Sequence, residues 1–254
     1  MRNFLIGAAI ALACAAMLPM LVQAEYYYVL GFTVMQLIIM ATAWNILGGF
    51  AGYVNFGAGA FFAVGAYTAV SLYKAFALPL GLQILAGAAM AGLLGLGVGL
   101  LTLRLRGIFF SIATIAITII LETVALNWSY VGGAKGLPIL RPTEIPIFGN
   151  YTQWLFFVMV VIAVVAIAVA RYIQTSWIGR GLRAIRDNEG AAECSGVPTL
   201  QLKLMAAAVS GALLGAAGIA ERGFQVHDMA LLGEQVVAQA VVTPRRHMQL
   251  GRLQ

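Results

Sequence analysis

The sequence predicts an all-α fold, a polytopic transmembrane helical bundle of about seven spans, and three observations lead there. Apolar residues make up 62% of the chain and charged residues only 9%, which describes a bilayer protein rather than a soluble domain with one core. Apolar runs recur at the length that crosses a hydrocarbon layer of ~30 Å. Most lysines and arginines sit in short loops flanking those runs, so the +6 formal charge reports membrane orientation rather than nucleic-acid binding.

The runs fall at roughly 4–22, 27–47, 57–77, 83–103, 108–126, 154–173 and 202–220. The first also reads as a signal peptide, because Arg2 precedes it and "VQA" at residues 22–24 resembles a small-residue cleavage site. Pro19 and the span that follows at once favour a retained first helix. With a cytoplasmic N-terminus, the inner side collects Arg2, Arg104, Arg106, Arg171, Arg180, Arg183, Arg186 and Lys203, while the outer side keeps Lys74, Lys135 and Arg141 before the tail. Residues 181–197 are then cytoplasmic. The loop "NWSYVGGAKGLPILRPTEIPIFGNYTQ" lies outside, its Gly and Pro content suited to turns. "GGFAG" (Gly48, Gly52), "GLGVG" (Gly95, Gly99) and "GALLG" (Gly211, Gly215) place glycines four apart on one helix face, where two backbones can approach closely.

The charged stretch "GLRAIRDNEGAAECSGV" projects as one short amphipathic helix. Leu182, Ile185, Glu189, Ala192 and Gly196 fall on one face, and Arg183, Arg186, Asp187 and Glu193 largely on another. A solvated surface helix with its arginines against anionic lipid is one reading. The small residues Ala191, Ala192 and Gly196 suggest a second, room for another protein to sit close.

"GRGLRAIRDNEGAAECSGVPTLQLKLMAAAVSGALLGAAG" closely resembles the cytoplasmic loop and following helix of the permease subunits of branched-chain amino acid importers of the ATP-binding-cassette (ABC) class, a family that includes urea and short-amide importers. "NILGGFAGYVNFGAGAFFAVGAYTA" resembles that family's glycine-rich early segment, and "LRLRGIFFSIATIAITIIL" with "VGGAKGLPI" its central helix and external loop. The resemblance runs in order over roughly residues 25–220. It implies a permease in a bacterial cytoplasmic (inner) membrane that supplies half of a translocation path. The implied partners are ABC ATPase subunits, a second permease subunit and an extracytoplasmic substrate-binding protein, with no nucleic acid.

The same resemblance implies that residues about 174–203 carry a coupling helix with the pattern Glu-Ala-Ala-x-x-x-Gly, which docks in a cleft of the ATPase. Ala191, Ala192 and Gly196 match it; Gly190 holds the glutamate position and Glu189 stands one residue early. The expectation is that the apolar and small face enters the cleft while Arg183, Arg186 and Asp187 pair at its rim.

For the path itself, Ser111, Thr114, Thr118 and Glu122 recur on one helical face of the fifth span. Pore lining competes there with hydroxyls bonding the carbonyl a turn back. Tyr53 and Asn55, in "GYVNFGAG", are further path candidates because that segment could break its helix. A glycine-permitted tight crossing is the alternative.

No enzyme is expected. "GGAKGL" lacks the spacing and the Ser or Thr of a phosphate loop, and His227 and His247 stand far from any acid or nucleophile pattern. Cys14 and Cys194 give neither a disulfide framework nor a metal site, and no cofactor is implied. An ion-driven secondary transporter or channel is the rival class; it leads one to expect several intramembrane charges or an internal repeat. The permease domain is expected over residues 1–220. Residues 221–254 then form an atypical polar tail where the resemblance implies further spans, so that the permease is truncated or altered there, as a short functional form or a non-functional fragment.

Overall fold

The computed structural model describes residues 2–21, 24–76, 78–102, 108–131 and 151–221. Within them every regular element is helical: α1 (Arg2–Leu21), α2 (Glu25–Ala51), α3 (Ala58–Phe76), α4 (Leu80–Thr102), α5 (Ile108–Asn127) with a 3₁₀ turn at Ser129–Val131, α6 (Tyr151–Thr175), α7 (Trp177–Asp187), α8 (Glu189–Cys194) and α9 (Thr199–Glu221). Each of the seven apolar runs coincides with a helix, because in hydrocarbon a helix satisfies every backbone N–H and C=O within its own segment. Five of these helices are long and apolar enough to cross a membrane: α2, α4, Phe109–Asn127 of α5, α6, and Thr199–Ile219 of α9. The first run offers the shorter apolar helix Ile6–Leu18, and α3 is not among these five, which are the spanning candidates among the described residues. Residues 132–150 of the external loop and 222–254 of the tail lie outside the described residues.

α9 is the hub. Of its apolar stretch 72% is buried, against 11% for α5 at the periphery, and α9 packs on α2, α3, α4 and α6. Small residues permit this closeness. A Cβ on Gly95 would lie 2.7 Å from the Ala207 carbonyl oxygen, and one on Gly211 would lie 2.8 Å from that of Ala91. Gly65 of α3 meets Gly215 of α9 backbone to backbone. The close-packing expectation therefore holds for Gly95, Gly211 and Gly215. Gly48 does not share it, its nearest neighbour being Trp44 of its own helix, while Gly52 ends α2 in a left-handed turn and there lies close against Arg186 of α7. Lipid tails are as apolar as leucine, so this packing and a few polar links hold the spans together. One such link is Ser210, whose hydroxyl donates to the Ala43 carbonyl across the α2–α9 contact at 2.7 Å.

Candidate functional site

The charged stretch is two helices and not one. At Asn188 the backbone turns extended (φ −160°, ψ 108°), and the Asn188 side chain accepts a hydrogen bond from the Ala191 N–H at 3.1 Å, capping α8. The far end of α8 closes through Gly196, at φ 79°: the Val197 N–H donates to the Ala192 carbonyl and the Gly196 N–H to that of Glu193, both at 3.0 Å. This paired closure needs a left-handed residue, which explains the glycine. Nothing lies within 4 Å of where a Gly196 Cβ would sit, so backbone conformation alone sets the requirement.

The corner made by α7 and α8 is fastened to the bundle by its apolar side. Leu182, Ile185 and Ala192 are buried in the same core as Leu202 and Ala206 of α9. Of the residues expected on the face toward a partner's cleft, Leu182, Ile185 and Ala192 are thus covered by the chain's own helices, while Ala191 and Gly196 are exposed. Gly190, Ala191, Glu193 and Cys194 of α8 point outward instead. Arg183 donates to the Gly179 and Gln174 carbonyls, and Arg186 to the Gly49 carbonyl at 3.1 Å. The Arg186–Asp187 pair, at 3.6 Å and largely exposed, adds little in water.

Glu189 turns inward. The Tyr53 O–H donates to one of its carboxylate oxygens at 2.6 Å and Lys203 Nζ to the other at 2.6 Å. Lys203 also donates to the Tyr53 hydroxyl at 3.3 Å and lies 5.0 Å from that ring's centre. The Lys203 side chain is 3% exposed and that of Glu189 15%, so both charges leave water together and neither is stranded. Lys203, counted above among the inner-side loop cations, is thus an interior residue. One step along a helix rotates a side chain by roughly 100°. A carboxylate at position 189 therefore reaches inward, whereas position 190 faces out.

Tyr53 belongs to residues 52–57, where the helical path breaks between α2 and α3. Gly52 takes φ 76°, and a Cβ there would come 2.8 Å from Arg186 Cγ. Several of the segment's polar groups find partners in the protein. Trp44 Nε1 donates to the Asn55 carbonyl at 3.0 Å, and the Asn55 side chain accepts from the Gly57 N–H at 2.8 Å. Ser111 donates to the Val54 carbonyl at 3.0 Å, and Thr114 accepts from the Phe56 N–H at 3.2 Å. Non-helical backbone at membrane depth is tolerated where it is buried in protein or lines a water-filled cavity.

The face Ser111, Thr114, Thr118 and Glu122 accordingly divides. Ser111 and Thr114 latch α5 to the broken segment. Thr118 donates back to the Thr114 carbonyl at 2.9 Å, and Glu122 is exposed. The cavity between Asn55, Phe110, Thr114, Gly99 and Thr102 measures about 10 Å³, the scale of one water. Sequence reasoning singled out Tyr53 and Asn55 for a translocation path and Glu189 for a partner's cleft, not for this cluster, and placed Lys203 among the inner-side cations. Its one signal was a lysine in the second turn of an apolar helix, flanked by Leu202 and Leu204.

A multi-spanning helical membrane protein, carrying at one end a two-helix corner tied into its core by a buried ion pair, is the class that fold and site define. The chain belongs to the family described as branched-chain amino acid transport system / permease component, whose model matches residues 26–222. It is similar to the high-affinity branched-chain amino acid transport system permease protein LivM of Escherichia coli, 26% identical over 233 residues that cover 81% of this chain and 55% of that protein. The protein of the same name from Salmonella typhimurium is 26% identical over 237 residues, with the same coverage. The chain spans about half the length of these curated relatives. No solved structure matches it.

Proposed function

We propose that the chain acts as a permease subunit of an ABC importer for branched-chain amino acids in a bacterial inner membrane, paired with a second permease subunit and served by an external binding protein. The observation that carries this reading is the α7–α8 corner: its inner side is locked into the bundle while Gly190, Ala191, Glu193 and Cys194 of α8 stay exposed. A short helix with a small-residue outer edge on a rigid mount suits docking into a cleft of a separate ATPase subunit. Arg183, Arg186 and Asp187 set its neighbouring charge, and Ala192 and Gly196 shape the mount rather than the docking edge.

On this reading the path runs between two permease chains. Tyr53, Asn55, Ser111 and Thr114 hold the broken segment that forms part of its wall, and Thr118 and Glu122 stand further along α5.

The test is to co-express the chain with the permease and ATPase subunits encoded beside it and to purify the complex from membranes. Ala191→Arg places bulk and charge on the exposed edge without entering the core. ATPase subunits should accompany the native chain and be lost with Ala191→Arg at unchanged membrane levels. A native chain that inserts stably but holds no ATPase subunit refutes the docking reading.

A further inference from the structure

The buried Tyr53–Glu189–Lys203 cluster joins three parts of the chain that are far apart in sequence: the broken segment after α2, the first turn of α8 and the second turn of α9. Hydroxyl, carboxylate and ammonium converge within 3.3 Å of one another. The broken segment is in turn bound to α5 through Ser111 and Thr114. A continuous run of short polar bonds therefore leads from α8 to α5, crossing non-helical backbone on the way. α5 itself packs on α3 and α4 less closely than the other spans pack together, so the bonds to residues 54–56 are among its firm attachments.

We propose that Glu189, through Tyr53, is the positioning residue that carries displacement of α8 into the broken segment and on to α5. This rests on the docking reading above and adds to it. The glutamate that the resemblance would set against a partner works within this chain instead, as an internal tie rod. Rigid side chains with two discrete arrangements can transmit such a shift, whereas a solvated acidic side chain at position 190 could not. Arg186, bound to the Gly49 carbonyl and packed against Gly52, is a second link between the corner and the end of α2.

The chain carries its own reporters. Trp177 opens α7 at the corner, and Trp44 donates to the Asn55 carbonyl of the broken segment. The purified complex, its permease labelled with 5-fluorotryptophan, is observed by fluorine NMR without nucleotide and with ATP and vanadate; single Trp→Phe changes assign the signals. In the native complex both resonances should shift with nucleotide. Tyr53→Phe keeps the ring against Phe110 and removes only the hydroxyl, and Glu189→Gln removes the charge. In either variant the Trp177 shift should persist while the Trp44 shift is lost, and the double variant should lose no more than either single change.

A Trp44 shift retained in both single variants overturns the proposal and leaves the docking reading intact. Loss of the Trp177 shift together with the ATPase subunits in both variants also overturns it, since Glu189 would then serve docking. A native complex with no nucleotide-dependent shift at Trp177 overturns the docking reading and this proposal with it.

Discussion

Replacing Lys203 by methionine keeps the length of an unbranched side chain but strands the Glu189 carboxylate inside the protein. At the observed 2.6 Å, with an effective dielectric constant near 20, the gross attraction of the pair is about 6 kcal/mol. Desolvation offsets most of it, and what a single truncation exposes is the uncompensated charge, typically about 3–5 kcal/mol. Glu189 keeps the Tyr53 hydrogen bond and some exposure, so the lower end applies, about 3 kcal/mol. For a chain of this size that corresponds to roughly 6–12 °C in melting temperature. The double variant Lys203→Met with Glu189→Gln has no charge left to strand and should return to within about 1 kcal/mol of native. Thermal melting of the detergent-purified chain, followed by tryptophan fluorescence, tests both. A Lys203→Met protein melting with the native one, or a double variant no better than the single, would refute the reasoning.

Other perturbations separate space from conformation. Gly196→Ala, with open space around it but φ 79°, should cost about 1 kcal/mol through left-handed strain, and Gly196→Asn less, by the same melting assay. Gly65→Ala drives a methyl into the Gly215 backbone and should sharply reduce the folded fraction on size exclusion, whereas Gly97→Ala, in open space on α4, should be neutral or stabilising by up to about 1 kcal/mol. Asn188→Ala removes the cap of α8 and should cost about 1 kcal/mol, seen as faster amide exchange over residues 189–194 with α9 unaffected.

The spans were legible because a bilayer demands long apolar runs, and the runs coincide with helices from α1 to α9. The break after α2 was legible in the glycines of "GGFAGYVNFGAG", since no other residue so readily ends a helix at φ 76°. The amphipathic corner was legible as a pattern but not as an orientation. Leu182, Ile185 and Ala192 call for an apolar cover, and periodicity cannot say whether the chain or a partner supplies it. Asn188 went unread as a cap, so one helix was expected where two form. Lys203 was hidden for a related reason: positive charge near a span end usually belongs to the membrane surface, and only pairing with Glu189, and with Tyr53 150 positions away, makes its burial tolerable.

The enclosure of α9 bears on the order in which the molecule can be made. Among the described helices α9 is last in chain order, yet α2, α3, α4 and α6 all pack on it. As the chain leaves the ribosome, α3 can meet α4, with Gly65 against Gly87, and later α2 can meet α6, but the sides of Gly65, Gly87 and Gly95 that face α9 stay uncovered by it until α9 enters the membrane. Lys203 arrives with it, and only then does Glu189, already synthesised, gain its counter-ion. Insertion of this one helix thus joins the four described helices that pack on it and completes the buried ion pair in the same event.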